Sequence, residues 1–265
     1  MNMPNSKNIK ISVIMPAFNE ESNIIEAIDN TLLAFGDYNL DGEIIIVNDG
    51  SIDKTLSLVK ERVSQDTQNQ LKLINHEKPE GIGACFWDGL EKAKSEIVTM
   101  IPGDNENVPA EIICYVDLFD HVDIVVPFVF NKDIRSLLRN ILSYLYRFII
   151  NITFGVSFNY TNGTILYRRN ILNEFEHKNT GFFFQTEILI KLTKRGYLFA
   201  EVPYRLRTRS KGKSKALSFK SFFQLIKGYI GLVKDIYFTP KGDFTGRFKE
   251  ETQSAIKYED AGNNP

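Results

Sequence analysis

Four short apolar runs separated by stretches with helical spacing restrict the fold more than any other feature of this sequence. Lys10 to Met15, Glu43 to Val47, Leu71 to Asn75 and Glu96 to Met100 read as strands. Between them, Glu20 to Phe35 places Ile24, Ile25, Ile28, Leu32 and Leu33 at helical spacing, with Asn19 or Ser22 as plausible caps. A second helix is expected to run to about Ser64 and a third from about Gly83 to Ala93. Pro16 should stop the first strand, and the second, the most apolar, should be central. This alternation implies a largely parallel, doubly wound α/β sheet. Ligands bind such sheets outside the carboxyl ends of the strands. Three polar clusters fall there: Pro16 to Glu20, Asn48 to Asp53, and Asp104 to Glu106.

The third cluster carries the most chemistry. Asp104 and Glu106 lie two residues apart, and in an extended chain such positions point to the same side. Two carboxylates so placed repel each other unless a cation sits between them. Hard divalent ions take oxygen ligands, often one or two carboxylates plus substrate phosphates. The pattern therefore fits Mg²⁺ or Mn²⁺ holding a diphosphate, although an acidic loop after a strand is commonly just that.

The order of motifs resembles the inverting family 2 glycosyltransferases, whose fold is the Rossmann-like GT-A. Val13-Ile14-Met15-Pro16-Ala17-Phe18-Asn19-Glu20-Glu21 is similar to the family's opening strand and Pro-Ala-Tyr-Asn-Glu turn. Ile45 through Asp49-Gly50-Ser51-Ile52-Asp53-Lys54-Thr55 resembles its Val-Asp-Asp-Gly-Ser-x-Asp-x-Thr element, with Asn48 for the first Asp. Gly81-Ile82-Gly83-Ala84 resembles its Gly-x-Gly-Ala helix start. Asp104-Asn105-Glu106 stands where the family places its Asp-x-Asp metal motif, with Glu for the last Asp. The resemblance implies a nucleotide-sugar donor bordered by Pro16, Ala17, Phe18, Glu20 and Asn105. It also implies that Asp49 bonds the base and that Asp104 and Glu106 hold the metal.

The second half bears on the acceptor. Between Arg205 and Lys227 stand eight Lys or Arg residues and no Asp or Glu, a basic block that points to a local anionic partner or a solvated loop. Where many family members have a catalytic base, this chain has Gln185, with Glu187 two residues on. An amide accepts no proton usefully at neutral pH, so either Glu187 is the base or none is needed. A phosphomonoester acceptor needs none, since it already carries ~1.5 to 2 negative charges. That implies the dolichyl- or polyprenyl-phosphate mannosyltransferase-like branch. Arg209-Ser210-Lys211-Gly212-Lys213-Ser214-Lys215 resembles its Arg-x-x-Gly-x-Ser-Lys loop, so Arg209, Ser214 and Lys215 would clamp phosphates. Arg139 and Ser143, with Arg147 beyond them, resemble its phosphate-facing helix, though core packing explains that helix equally well. The branch's Asp-x-x-x-Gly element is Asn159 to Gly163 here, without the Asp.

The expected organisation is a GT-A domain over 1–215, an amphipathic membrane- or partner-facing helix over 216–240 and a loose polar tail over 241–265. The N-terminal ten residues lack a signal-like apolar core, and no stretch reaches the ~20 apolar residues needed to span a bilayer. Cys85 and Cys114 have no ligand-like spacing and read as buried thiols. The expected location is the cytoplasm, peripheral on the inner face of a membrane. The partners are a nucleotide sugar and a lipid-phosphate or glycan acceptor; nucleic-acid binding lacks support. A family 2 enzyme extending lipopolysaccharide, capsule or another glycan through a hydroxyl acceptor, and an inactive membrane-associated scaffold, are the rivals.

Overall fold

One seven-stranded sheet organises the computed structural model, which describes residues 10–131, 137–173, 175, 179–207, 219–238 and 248–262. The first half contains β1 (Lys10–Ala17), α1 (Ile24–Asp37), β2 (Asp41–Asp49), α2 (Thr55–Ser64), β3 (Leu71–His76), α3 (Ile82–Lys92), β4 (Ile97–Met100) and α4 (Pro109–Ile113). A 3-10 turn (Val116–Asp120) leads to β5 (Ile124–Val129), α5 (Leu137–Phe154), β6 (Leu166–Arg168) and α6 (Arg169–Leu172). Then come α7 (Phe184–Lys194), β7 (Phe199–Tyr204), α8 (Phe219–Phe238) and α9 (Gln253–Gly262).

The strand order is β3-β2-β1-β4-β6-β5-β7. Every pairing is parallel except those of β6 with β4 and β5. The chain winds outward from β1 to β3 and then returns to β1's other side with β4. That reversal makes a crevice between the carboxyl ends of β1 and β4, where ligands bind such sheets.

Successive side chains point to opposite faces of a strand, and each face has its own core. Val13 and Met15 of β1 and Ile44 and Ile46 of β2 pack with Ile24 and Ile28 of α1. Ile14, Ile45 and Val47 pack instead with Phe86 and Leu90 of α3, Phe184 and Ile188 of α7, and Leu232 of α8. This is the doubly wound α/β arrangement that the alternation implied.

Three local expectations are corrected. Pro16 does not stop β1, which runs to Ala17. Pairing with β4 has ended at Ile14, so the missing N–H of Pro16 faces no ladder on that side. Neither Asn19 nor Ser22 caps α1. Asn23 does, without a side-chain cap bond, and its amide donates instead to Glu20. The expected loose tail contains α9, whose first residues bond Asp123 just before β5.

The lipid-facing expectation falls on α5 and α8. Leu137, Ile141, Leu145, Phe148, Ile149 and Ile152 are exposed on α5, and Phe223, Ile230, Tyr237 and Phe238 on α8. The two helices join where Thr153 and Tyr229 hydroxyls meet at 2.8 Å and Phe154 packs on Tyr229 and Tyr237. Among the described residues, no helix is long and apolar enough to cross a membrane.

Candidate active site

The turns after β1 and β2 are laced together. Asn19, left-handed at φ 56°, donates its N–H to Ser51 Oγ at 3.0 Å and accepts the Ile52 N–H at 2.8 Å. The Glu20 N–H donates to Thr55 Oγ1 at 2.8 Å. The turn after β4 joins them through the Gly103 N–H, which donates to the Pro16 carbonyl at 3.0 Å. Pro16, Ala17, Phe18, Glu20 and the acidic triplet therefore share the crevice rim.

The triplet is not extended, as the i, i+2 argument required. Asn105 is left-handed at φ 57°, a region that Asn tolerates. The chain turns there, and Asp104 Oδ1 accepts the Glu106 N–H at 3.2 Å. Asn30 of α1 donates to Asn105 Oδ1 at 3.0 Å, fixing that side chain against the helix. On the far side, the Arg207 N–H donates to the Glu106 carbonyl at 2.8 Å. Asn131, just after β5, bonds both the N–H and the carbonyl of Leu206. The triplet is thus tied to the segment that opens the basic block. Asp104 and Glu106 offer hard oxygen donors, a set that fits Mg²⁺ or Mn²⁺.

Asp49 is the hub of a neighbouring hydrogen-bonded cluster. It accepts from His76 Nδ1 at 2.9 Å, Glu80 N–H at 2.7 Å and Gly81 N–H at 3.1 Å. Asp49, His76 and Cys85 bring ligand atoms within 4.8 Å of one another, a grouping that could hold a metal. Its mixed O/N/S donors suit Mg²⁺ or Mn²⁺ less well than the two carboxylates after β4. Burial, then the charges of Asp49 and Asp88, push the Cys85 thiol well above its ordinary range. We read the group as a hydrogen-bonded cluster. His76 and Asp88 escaped the sequence reading and Cys85 was read only as a buried thiol, although His76 directly follows an expected strand on the ligand-binding rim.

Past the end of β5, Val129, Asn140, Ser143, Tyr144, Arg147, Asn159 and Tyr160 line a cavity of about 160 Å³. Arg147 donates to the Asn159 carbonyl at 3.3 Å and lies 5.3 Å over the Tyr144 ring. Glu201 accepts from the Asn159 N–H and amide nearby. Burial pushes the Glu201 carboxyl up, against those two bonds and Arg147. The side chain of Arg139 and all of Arg209, Ser214 and Lys215 lie outside the described residues.

A family model, Glycosyl transferase family 2, matches residues 12–175. The chain belongs to glycosyl transferase family 2. Among curated relatives, it is 25% identical over 171 residues to dodecaprenyl-phosphate galacturonate synthase of Rhizobium johnstonii, covering 63% of this chain and 50% of the relative. It is 29% identical over 168 residues to undecaprenyl-phosphate 4-deoxy-4-formamido-L-arabinose transferase of Pectobacterium carotovorum, covering 63% and 51%. The chain spans about half the length of these relatives. In fold it matches glucosyl-3-phosphoglycerate synthase from Mycobacterium tuberculosis in complex with Mg²⁺ and UDP. The TM-score is 0.65 at 20% identity, over 85% of this chain and 79% of the other. The same enzyme with Mn²⁺, UDP and glucosyl-3-phosphoglycerate gives 0.62 at 21% identity, over 85% and 80%.

In this family 2 chain, Gln185 at the expected base position and Glu187, the one candidate base, differ sharply. Gln185 on α7 is 1% exposed, and neither amide atom has a hydrogen-bond partner among the described residues. Glu187 is committed to its own chain, accepting from Asn179 Nδ2 at 3.0 Å and Lys191 Nζ at 2.8 Å. Lys191 also meets Asp235 of α8 at 2.7 Å. Burial works against the Lys191 charge, and the two carboxylates more than offset it. The structure thus places Glu187 in an ion-pair relay between α7 and α8.

Proposed function

We propose that this family 2 protein moves a sugar from a nucleotide-sugar donor to a polyprenyl-phosphate-type acceptor with inversion, using Mg²⁺ or Mn²⁺. The observation that carries the reading is the position of Asp104 and Glu106 in the crevice where the strand order reverses. Both curated relatives are named for polyprenyl-phosphate sugar chemistry, and the structural neighbours hold UDP with Mn²⁺ or Mg²⁺.

Held by Asp104 and Glu106, the metal would offset charge on the departing diphosphate. Pro16, Ala17, Phe18, Glu20 and Asn105 would border the donor, and Asp49 would receive its base. An acceptor phosphate oxygen forms the bond to the anomeric carbon as the bond to the nucleoside diphosphate breaks on the opposite side. No proton need be removed from that phosphate. Arg147 with Ser143, and Arg139, Arg209, Ser214 and Lys215 beyond the described geometry, would hold it. The exposed apolar sides of α5 and α8 would rest on the inner face of a membrane beside the Arg147 cavity.

The decisive experiment assays a panel of nucleotide sugars with Mn²⁺ or Mg²⁺, with polyprenyl phosphate and without acceptor. Transfer to the lipid phosphate is the expected result; transfer only to glycan hydroxyls would refute the acceptor. Arg147→Ala should raise the KM for polyprenyl phosphate roughly tenfold to a hundredfold, the loss of a charge-assisted contact. The KM for the donor should stay unchanged. Glu187→Gln tests the base directly. Its ion-pair role predicts a loss of roughly 1–3 kcal/mol in stability and an unaltered pH profile of transfer. A large, pH-dependent fall in kcat would instead make Glu187 the base and the acceptor a hydroxyl.

A further inference from the structure

The parallel register of β2 and β3 sets Asp49 beside His76, and the imidazole lies between two carboxylates. Its Nδ1 is 2.9 Å from Asp49 Oδ1 and its Nε2 is 3.1 Å from Asp88 Oδ2. The ring thus reaches a carboxylate from each nitrogen, and the buried side chain ties β2 to α3.

The consequence reaches the substrate side through Asp49. The same carboxylate that His76 grips also accepts the Glu80 and Gly81 N–H groups, fixing the turn that begins α3. That turn is packed from above, since the Gly83 N–H donates to the Thr180 carbonyl at 3.0 Å. A β-carbon at Gly83 would stand 2.4 Å from the Asn179 carbonyl oxygen. With so little slack around the turn, the orientation of Asp49 depends on its bonds rather than on space to move.

We propose that His76 is a positioning residue of the donor site. Bridging Asp49 and Asp88, it holds Asp49 and the start of α3 in the arrangement that receives the nucleoside of the donor. This rests on the nucleotide-sugar reading given above. The ionisable groups around the ring are Asp49 from β2, Glu80 from the turn before α3, and Cys85 and Asp88 from α3. Three of these four are carboxylates. Removing the ring would leave Asp49 and Asp88 unbridged and free Asp49 to turn away from the Glu80 and Gly81 N–H groups.

The test is calorimetric binding of UDP, GDP and CDP, each with Mn²⁺, to the full chain. Wild type is compared with His76→Ala and His76→Asn; asparagine keeps an N–H donor toward Asp49. His76→Ala should bind the cognate nucleotide about tenfold more weakly, the effect of losing one bond to a carboxylate. His76→Asn should recover most of that loss. Wild-type affinity in His76→Ala overturns the proposal, and so does equal weakening in both variants. If His76→Ala does not fold, Asp88→Ala, at a partly exposed site on α3, decides: it should weaken binding severalfold, and unchanged affinity overturns the proposal. A wild type that binds none of the nucleotides overturns the donor reading and this inference with it. Binding by wild type with indifferent variants overturns only the role of His76.

Discussion

Asp104→Ala is expected to abolish metal-dependent nucleoside diphosphate binding and to lower transfer by about 10²–10³-fold or more, the scale of losing a main electrostatic stabiliser. The fold should survive. Asp104 is partly exposed in the turn after β4, where its Oδ1 caps the Glu106 N–H at 3.2 Å. Losing that bond costs about 1 kcal/mol. Circular dichroism and melting should therefore match wild type while Mn²⁺-dependent UDP or GDP binding disappears. Glu106→Gln should weaken metal binding less, because an amide oxygen still offers a neutral ligand. Undiminished metal-dependent transfer in Asp104→Ala would refute the metal assignment and, with it, the proposed function.

The triplet also shows what the sequence could and could not reveal. That a carboxylate pair follows the fourth strand was legible from an apolar run ending in Pro102 and Gly103. That the pair sits at the reversal of strand order required β4 to add beside β1, a long-range choice that local spacing does not encode. The presumed extended geometry failed at one residue, Asn105, whose left-handed backbone turns the triplet back on itself. Asn is among the residues that tolerate that region, so the signal was present but ambiguous.

Asp49 makes the contrast sharper. Its place in an Asn-Asp-Gly-Ser element was readable, yet its main partner, His76, lies on another strand and meets it only through the β2–β3 register. Helix α8 stands at the other extreme. An amphipathic helix was expected over 216–240, and α8 spans Phe219–Phe238. Periodicity within one element survives in sequence. Pairings between elements do not, and the proposed donor site consists largely of such pairings.

Asp123→Ala is expected to lower stability by about 3–5 kcal/mol, the scale of stripping one partner from a buried ion pair. Asp123 is 0% exposed. Its Oδ1 accepts from Arg168 Nε at 2.9 Å and the Gln253 N–H at 2.7 Å. Its Oδ2 accepts the Ser254 N–H at 2.9 Å and the Ser254 hydroxyl. Alanine would leave the Arg168 guanidinium with the Phe119 carbonyl and ring as its named partners and would orphan the start of α9. The urea midpoint should drop, and protease should cut within 248–262 before the rest of the chain. Asp123→Asn should fall between, since it keeps an acceptor oxygen but presents an NH₂ to donors. Asp123 precedes the first residue of β5, at the end of the sheet opposite the crevice, so donor KM at a permissive temperature should not change. A stability loss below about 1 kcal/mol would mean that Arg168 and α9 find other partners. The docking of α9 would then rest on Phe248, which packs at 5.3 Å against Tyr197 and at 5.8 Å against Tyr258.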